Sequence, residues 1–536
     1  MIKQILTTRL PLIVHHPSLT FDKNYASAIA EAGALPVFDT EFYSDEQVRE
    51  TIKSLEAEPF TFGVRLSVGR QSLISTIGHS HPENLELLIF TYEDKNQLKD
   101  FSYIPSHSKF FIETLDIGLT EELSRIAPHG LILKGYEAPG RVSRYTAFIL
   151  MQWYLENATL PLFIHGGVGL YTAAGLLAAG ASGFVLDNQL YLCDEAPLSP
   201  SFKKLMAEVT ETDTAVVGEA QNIRFRFFAK LGTKIVKTLK EKESALAGNP
   251  DADRLISEAV HKEITALDST DANPLQSLFY LGQDASFARS FMTNADAGST
   301  RMTDVISSFF NTMGKAMDAI DSHDPMVENA PLALEHETRY PVIQGPMANI
   351  SDNPDFAAAI YENGGLPFFA MGNLPEHLAE TMIAEGKKKA PRFGTGLIGI
   401  ETFNRTIHKH FDIVKRYQVP FALFAGGVPA QVNELEQAGT RTYLHTPNMM
   451  MLKNAIEGGC TRFIFEGTEA GGHVGSLTSL VLWESAMNLL MAQVDSAIKG
   501  QCVIFAGGIS TAHASSFISG ISSVLAARGA KIGIQV

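Results

Sequence analysis

An internal repeat constrains this chain more than any other feature. Pro11-Leu-Ile-Val14 recurs as Pro341-Val-Ile-Gln344, 330 positions later. Ala30-Glu-Ala-Gly-Ala-Leu-Pro36 is echoed by Tyr361-Glu-Asn-Gly-Gly-Leu-Pro367, and Phe62-Gly-Val-Arg-Leu66 by Phe393-Gly-Thr-Gly-Leu397. Gly135-Tyr-Glu-Ala-Pro-Gly140 returns as Gly467-Thr-Glu-Ala-Gly-Gly472, 332 positions on. Gly166-Gly167 returns as Gly507-Gly508, and Gly183-Phe-Val-Leu186 as Gly533-Ile-Gln-Val536. The matches keep their order, so the chain is a tandem of two related units.

The first copy holds eight short apolar runs: Pro11–Val14, Leu35–Phe38, Phe62–Leu66, Leu87–Phe90, Phe110–Ile112, Leu131–Leu133, Leu162–Ile164 and Gly183–Leu186. Helix-like stretches lie between most of them. Strands alternating with helices make a parallel sheet, and eight of them point to an α/β fold of the (β/α)8 barrel type. The expected architecture is two tandem TIM barrels. Residues 1–325 form the first, with a helical cap over about 196–300 that includes helices at Ile223–Leu239 and Asp253–Ala266. The helix Thr303–Ile320 closes that unit, residues 326–338 form a linker, and 339–536 form the second barrel. The second copy stops at Val536, inside its last run. A truncated last strand predicts an open sheet edge, and the chain is expected to be part of a longer protein.

Composition narrows the function. With 43 basic and 59 acidic side chains the formal charge is −16, which argues against nucleic acid or an anionic membrane as partner. No uninterrupted run of about 18 apolar residues offers a membrane span. The three cysteines, Cys193, Cys460 and Cys502, show no metal spacing and no disulfide framework, so the expectation is a cytoplasmic protein with no metal.

The chemistry concentrates in residues 463–476. The apolar run Phe463–Phe465 ends in Glu466, Gly467 and Glu469, then Gly471 and Gly472 lead into His473. A histidine on a glycine loop past a strand end is placed to exchange protons with a ligand. Ala506-Gly-Gly-Ile509 follows the seventh run of the second copy, where barrels commonly hold a phosphate on bare backbone N–H groups. Gln344-Gly-Pro-Met-Ala348 follows the first run and could face a flat ring.

These marks, Gln344-Gly-Pro-Met347, Glu466-Gly-Thr-Glu-Ala-Gly-Gly-His473, Ala506-Gly-Gly508 and Gly533-Ile-Gln535, resemble the nitronate monooxygenase family, formerly 2-nitropropane dioxygenases. They also resemble the related FMN-dependent enoyl-acyl-carrier-protein reductases. The resemblance covers nearly all of 336–536 and, more weakly, 1–325. With Leu444-His-Thr-Pro447 and Leu482-Trp-Glu484 it is most similar to barrels of bacterial polyketide and polyunsaturated fatty-acid synthases. What the resemblance implies is FMN with its phosphate at Gly507, Gly508 and Gly533 and its ring near Met347 and Gly394. Gln344, Gly345, Glu466, Gly471, Gly472 and Gln535 complete the implied cofactor set. His473 is the implied catalytic proton carrier, and NAD(P)H the reductant in the reductase version. The substrate is then a small molecule or an acyl-carrier-bound chain, with further synthase domains following Val536.

The first copy departs from this pattern. Arg141 stands at the place of His473, Pro139 at that of Gly471, and Arg65 at that of Gly396. Asp187-Asn188 occupy the position of a phosphate-binding pair, where a carboxylate repels a dianion. His15, His16 and His165 lie at strand ends, where a catalytic role is open and a structural one is the commoner. The first barrel is therefore expected to bind a different ligand or to be a structural copy. The competing class of function is a non-catalytic docking module of a megasynthase.

Overall fold

The computed structural model describes residues 6–80, 82–99, 101, 104, 109–230, 232–295, 298–372, 374–400, 402, 404, 406–472 and 474–536. The chain divides into two compact units, Met1–Met313 and Gly314–Val536. Each contains a closed, eight-stranded parallel barrel, so the protein is an α/β chain of two tandem TIM-type barrels.

The strands of the first barrel are Leu12–His15, Leu35–Asp39, Phe62–Ser67, Leu85–Thr91, Lys109–Thr114, Gly130–Lys134, Leu162–His165 and Gly183–Leu186. Each overlaps one of the eight apolar runs. The first strand pairs with both the second and the eighth, which closes the sheet. Ile13, Leu35, Val37, Leu87, Ile89, Phe111, Ile132, Phe163 and Val185 fill the interior, and Leu6 packs with them. Each such side chain contributes about 1.5–3 kcal/mol by leaving water.

The inserted segment of the first unit is not purely helical. Phe225–Phe228 is a strand, between Thr214–Val217 and the short strand Gly140–Arg141 in an antiparallel sheet. The expected helix over 223–239 is thus a strand followed by the helix Lys234–Ala245. Aromatic-rich Phe-Arg-Phe-Phe suits a pleated surface, where Phe225 and Phe227 pack with Tyr280 and with Ile256 and Val260 of the helix Ala252–Glu263. The closing helix runs over Met302–His323.

The second barrel comprises Val342–Gln344, Leu366–Ala370, Gly394–Ile398, Phe421–Ala425, Arg441–His445, Arg462–Glu466, Cys502–Ala506 and Lys531–Gln535. The open edge expected at the chain end is not found. Lys531–Gln535 pairs with Cys502–Ala506 on one side and with Val342–Gln344 on the other. Five residues suffice because only the strand, and not a following helix, is needed to close the ladder. The stretch 326–338 carries the helix Pro331–His336, whose Leu332 is wholly buried in the barrel core beside Ile343 and Ile504. No helix among the described residues is long and apolar enough to cross a membrane.

Candidate functional site

In the second barrel the strand ends bring most of the expected residues onto one rim. Register places Glu466 beside Ala506, Ala506 beside Gln535, and Gln535 beside Ile343. Gln344, Glu466, Gly507 and Gln535 are therefore neighbours at the C-terminal edge of the sheet. Gly345 donates its N–H to the Val536 carbonyl at 2.9 Å, and a Cβ on it would lie 3.0 Å from Gln535 Nε2. Gln344 is buried, whereas Met347 is 38% exposed on the turn that follows. Gly507 and Gly508 have φ of +118° and +72°, the left-handed region that favours glycine.

Two of the expected cofactor glycines lie elsewhere. Gly394 is the first residue of its strand, and a Cβ there would meet the Phe368 ring at 2.3 Å. Gly533 lets the Pro341 carbonyl and Leu332 approach, with a virtual Cβ 2.4 Å from each. Both serve the interior packing towards the N-terminal end of the barrel. Gly471 and Gly472 are exposed, and a Cβ on either would meet open space. His473 lies outside the described residues.

The loop that carries the signature has a structural job as well. Glu469 accepts hydrogen bonds from the backbone N–H (2.8 Å) and hydroxyl (2.7 Å) of Ser479, the first residue of the helix Ser479–Met491. Its counterpart Glu137 accepts from Ala147 N at 3.1 Å, at the start of Ala147–Asn157. Gly467 and Gly135 let these helix ends come close: a Cβ would lie 2.2 Å from Ser479 Oγ or 2.3 Å from Ala147 N. The repeated Gly-x-Glu is therefore a helix-capping device in both copies.

Sequence reasoning missed His445. It ends the fifth strand, buried, with Nδ1 2.8 Å from Glu466 Oε2. That contact has an ion pair's distance without a hydrogen bond's alignment, and Nε2 has no hydrogen-bond partner either.

The larger surprise is the first barrel. A buried polar cluster sits at the same ends of its strands. Arg65 binds Glu113 with Nε (3.0 Å) and Nη2 (2.7 Å), and its Nη1 reaches Asp39 at 3.0 Å and Glu41 at 3.3 Å. His165 Nε2 lies 2.8 Å from Asp187 Oδ2. His15 packs edge-on to His165, with ring centres 5.2 Å apart. Burial pushes the Lys134 ammonium down, and burial, then His165, holds His15 well below its ordinary value. Burial pushes the Glu113 carboxyl up, but Arg65 and Lys134 together outweigh it and hold Glu113 well below the usual carboxylate range. Tyr280, from the inserted segment, covers the mouth and donates to Glu41 at 2.9 Å. His16 behaves as expected of a structural histidine, with its ring nitrogens against the Val37 and Asp22 carbonyls.

Two further departures are explained. Arg141 ties down the loop by donating to the Tyr92 carbonyl at 2.8 Å. The Gly166-Gly167 turn keeps its positive φ values, +107° and +70°, but Gly167 N–H donates to Asp284 Oδ2 at 2.9 Å. Gln189 Nε2 donates to the same oxygen at 3.0 Å. A side chain of the inserted segment thus takes up the N–H of this glycine turn. Burial, then Asp187, raises the Asp284 carboxyl well above its ordinary value.

No protein-family model and no curated protein matches the sequence. Solved structures show similarity in fold. FabK from Thermotoga maritima is 16% identical, with 59% of this chain and 97% of that chain aligned at a TM-score of 0.49. A nitroalkane oxidase from Streptomyces ansochromogenes is 15% identical over 58% and 98%, at 0.43. The enoyl reductase domain of MlnA, from the macrolactin biosynthesis cluster of Bacillus amyloliquefaciens, is 12% identical over 58% and 95%, at 0.43.

Proposed function

We propose that the second barrel is an FMN-dependent oxidoreductase site of the nitronate monooxygenase or enoyl reductase type, working within a polyketide or fatty-acid synthase. One observation carries the reading. Two buried polar atoms on the C-terminal rim, His445 Nε2 and Gln535 Oε1, make no hydrogen bond, and both lie on strand ends that the signature residues share. Buried polar atoms are almost always partnered, so such a pair marks a place for a polar ligand.

The residues present fit the group. Gly507 and Gly508 would take the phosphate at their turn, and Gln535, whose Oε1 has no partner, would meet its polar edge, with Gln344 and Gly345 beside it. FMN would supply hydride or one-electron chemistry when bound. Glu466 steadies His445 beside this rim, and His473 is the proton carrier in the reading from sequence. Enoyl reduction on acyl-carrier-bound chains with NAD(P)H is the leading version, because the motif form is the one found in synthases.

The test is spectroscopic. The full chain, incubated with FMN and desalted, should retain flavin absorbance that denaturation releases. His473→Ala should keep the flavin and lose turnover. Comparing an enoyl thioester with NADPH against a nitronate with oxygen separates the two chemistries. A chain that is colourless after incubation with excess FMN and desalting overturns the proposal.

A further inference from the structure

We propose that the first barrel is a metal site: His15, His165 and Glu113 bind one divalent first-row transition ion at the C-terminal end of the sheet. This is independent of the flavin reading and concerns the other barrel. One ligand atom from each of the three residues lies within 4.8 Å of the other two. All three are buried, with exposures of 5%, 1% and 3%.

The imidazoles are set up for it. Asp187 is the hydrogen-bond acceptor at His165 Nε2, so the ring proton sits there and Nδ1 presents a lone pair. His165 Nδ1 and His15 Nε2 are both buried and make no hydrogen bond. A carboxylate behind a histidine, fixing tautomer and ring orientation, is the usual support for a metal-binding imidazole. Arg65 grips Glu113 through one direction on each oxygen, which fixes the carboxylate plane and leaves its other lone pairs.

Charge and space agree with an ion. Four acidic side chains, Asp39, Glu41, Glu113 and Asp187, gather around two basic ones, Arg65 and Lys134, a surplus of acidic groups that a divalent cation suits. The cavity lined by His15, Asp39, Lys134, His165 and Asp187 measures about 30 Å³. That is room for one or two waters beside the ligands. Two imidazoles and one carboxylate are the donor set of zinc and non-haem iron sites, and not of magnesium or calcium. Three protein ligands leave coordination positions for those waters. An ion there would polarise a bound water or a small oxygen ligand under Tyr280.

The experiment uses the full chain, stripped with a chelator, and Co²⁺ as the probe. One Co²⁺ per chain should bind, with visible bands of imidazole ligation, and Zn²⁺ should displace it. His15→Ala and His165→Ala should each abolish the bands, and Asp187→Asn should weaken binding about 10–100-fold. X-ray absorption of the Zn²⁺-loaded unmutated chain should read two imidazoles, which needs no variant to fold. Absence of stoichiometric binding, bands that survive both histidine variants, or fewer than two imidazoles overturns the proposal.

Discussion

The two barrels repeat one another most closely where the repetition serves packing, and least closely where chemistry is expected. Gly135 and Gly467 both seat a helix end, and Glu137 and Glu469 both cap it. Gly183 and Gly533 both make room for the proline carbonyl just before the first strand, with a virtual Cβ 2.5 Å from Pro11 O and 2.4 Å from Pro341 O. At the strand ends the copies part. Gly396 in the second barrel lies against Pro346, while Arg65 in the first binds three carboxylates. Gly135/Gly467, Glu137/Glu469 and Gly183/Gly533, kept in both copies, are thereby marked as parts of the scaffold. A residue that differs at an equivalent strand end is a candidate for chemistry.

This contrast can be broken most severely at Arg65. Arg65→Met leaves Asp39, Glu41 and Glu113 without their shared cation and should cost the first barrel about 3–5 kcal/mol, read by urea unfolding with hydrogen exchange followed in each barrel. The sign with pH is defined. Glu113 has a depressed folded-state pKa, so its stabilisation is complete above the unfolded value near 4.5 and is lost as pH falls through the folded value. The gap between variant and unmutated chain should therefore hold from pH 7 down to about 4.5 and narrow as pH falls further. A pH-independent gap would mean that Arg65 acts by packing alone.

The packing half of the comparison predicts symmetry. Gly135→Ala and Gly467→Ala should each destabilise their own barrel by about 3 kcal/mol, because backbone of the capped helix stands in the way of the methyl group. If only the second barrel suffers, the shared loop is not a shared scaffold. The smallest effect is expected at the Gly166-Gly167 turn, where the first copy departs from the second. Asp284→Ala strands the Gly167 N–H and the Gln189 amide and should cost about 2 kcal/mol. Asp284→Asn should be nearly silent, since the carboxyl is held towards its neutral form. Equal losses for both would mean that Asp284 works as a charge.

Much of the scaffold was legible in the sequence, and less of the sites. All eight strands of the first barrel overlap apolar runs because a buried parallel strand must be apolar on both faces. The signal for the first barrel's polar cluster was also present, and only His15, His165, Arg65 and Asp187 were read from it, one by one. The residues just after six of those runs are His15, Asp39, Glu113, Lys134, His165 and Asp187. A titratable group at the C-terminal end of a barrel strand points at the site, and six of them point at one another. His445 was equally readable as the end of its strand. The strand at Phe225–Phe228 was hidden because its partners, Gly140–Arg141 and Thr214–Val217, give no pairing signal in isolation.

The sequence by itself determined the tandem repeat, the barrel class and the divergence of the two signature loops, because order, period and glycine placement are local properties. Only the tertiary structure decided what each glycine is for. It showed that Gly394 and Gly533 make room for interior packing, that Glu469 caps a helix, and that Asp284 accepts the Gly167 N–H from 117 residues further along the chain. Those roles depend on which distant atoms come within about 3 Å, the range over which hydrogen bonds act, and closure of the barrel sets that range.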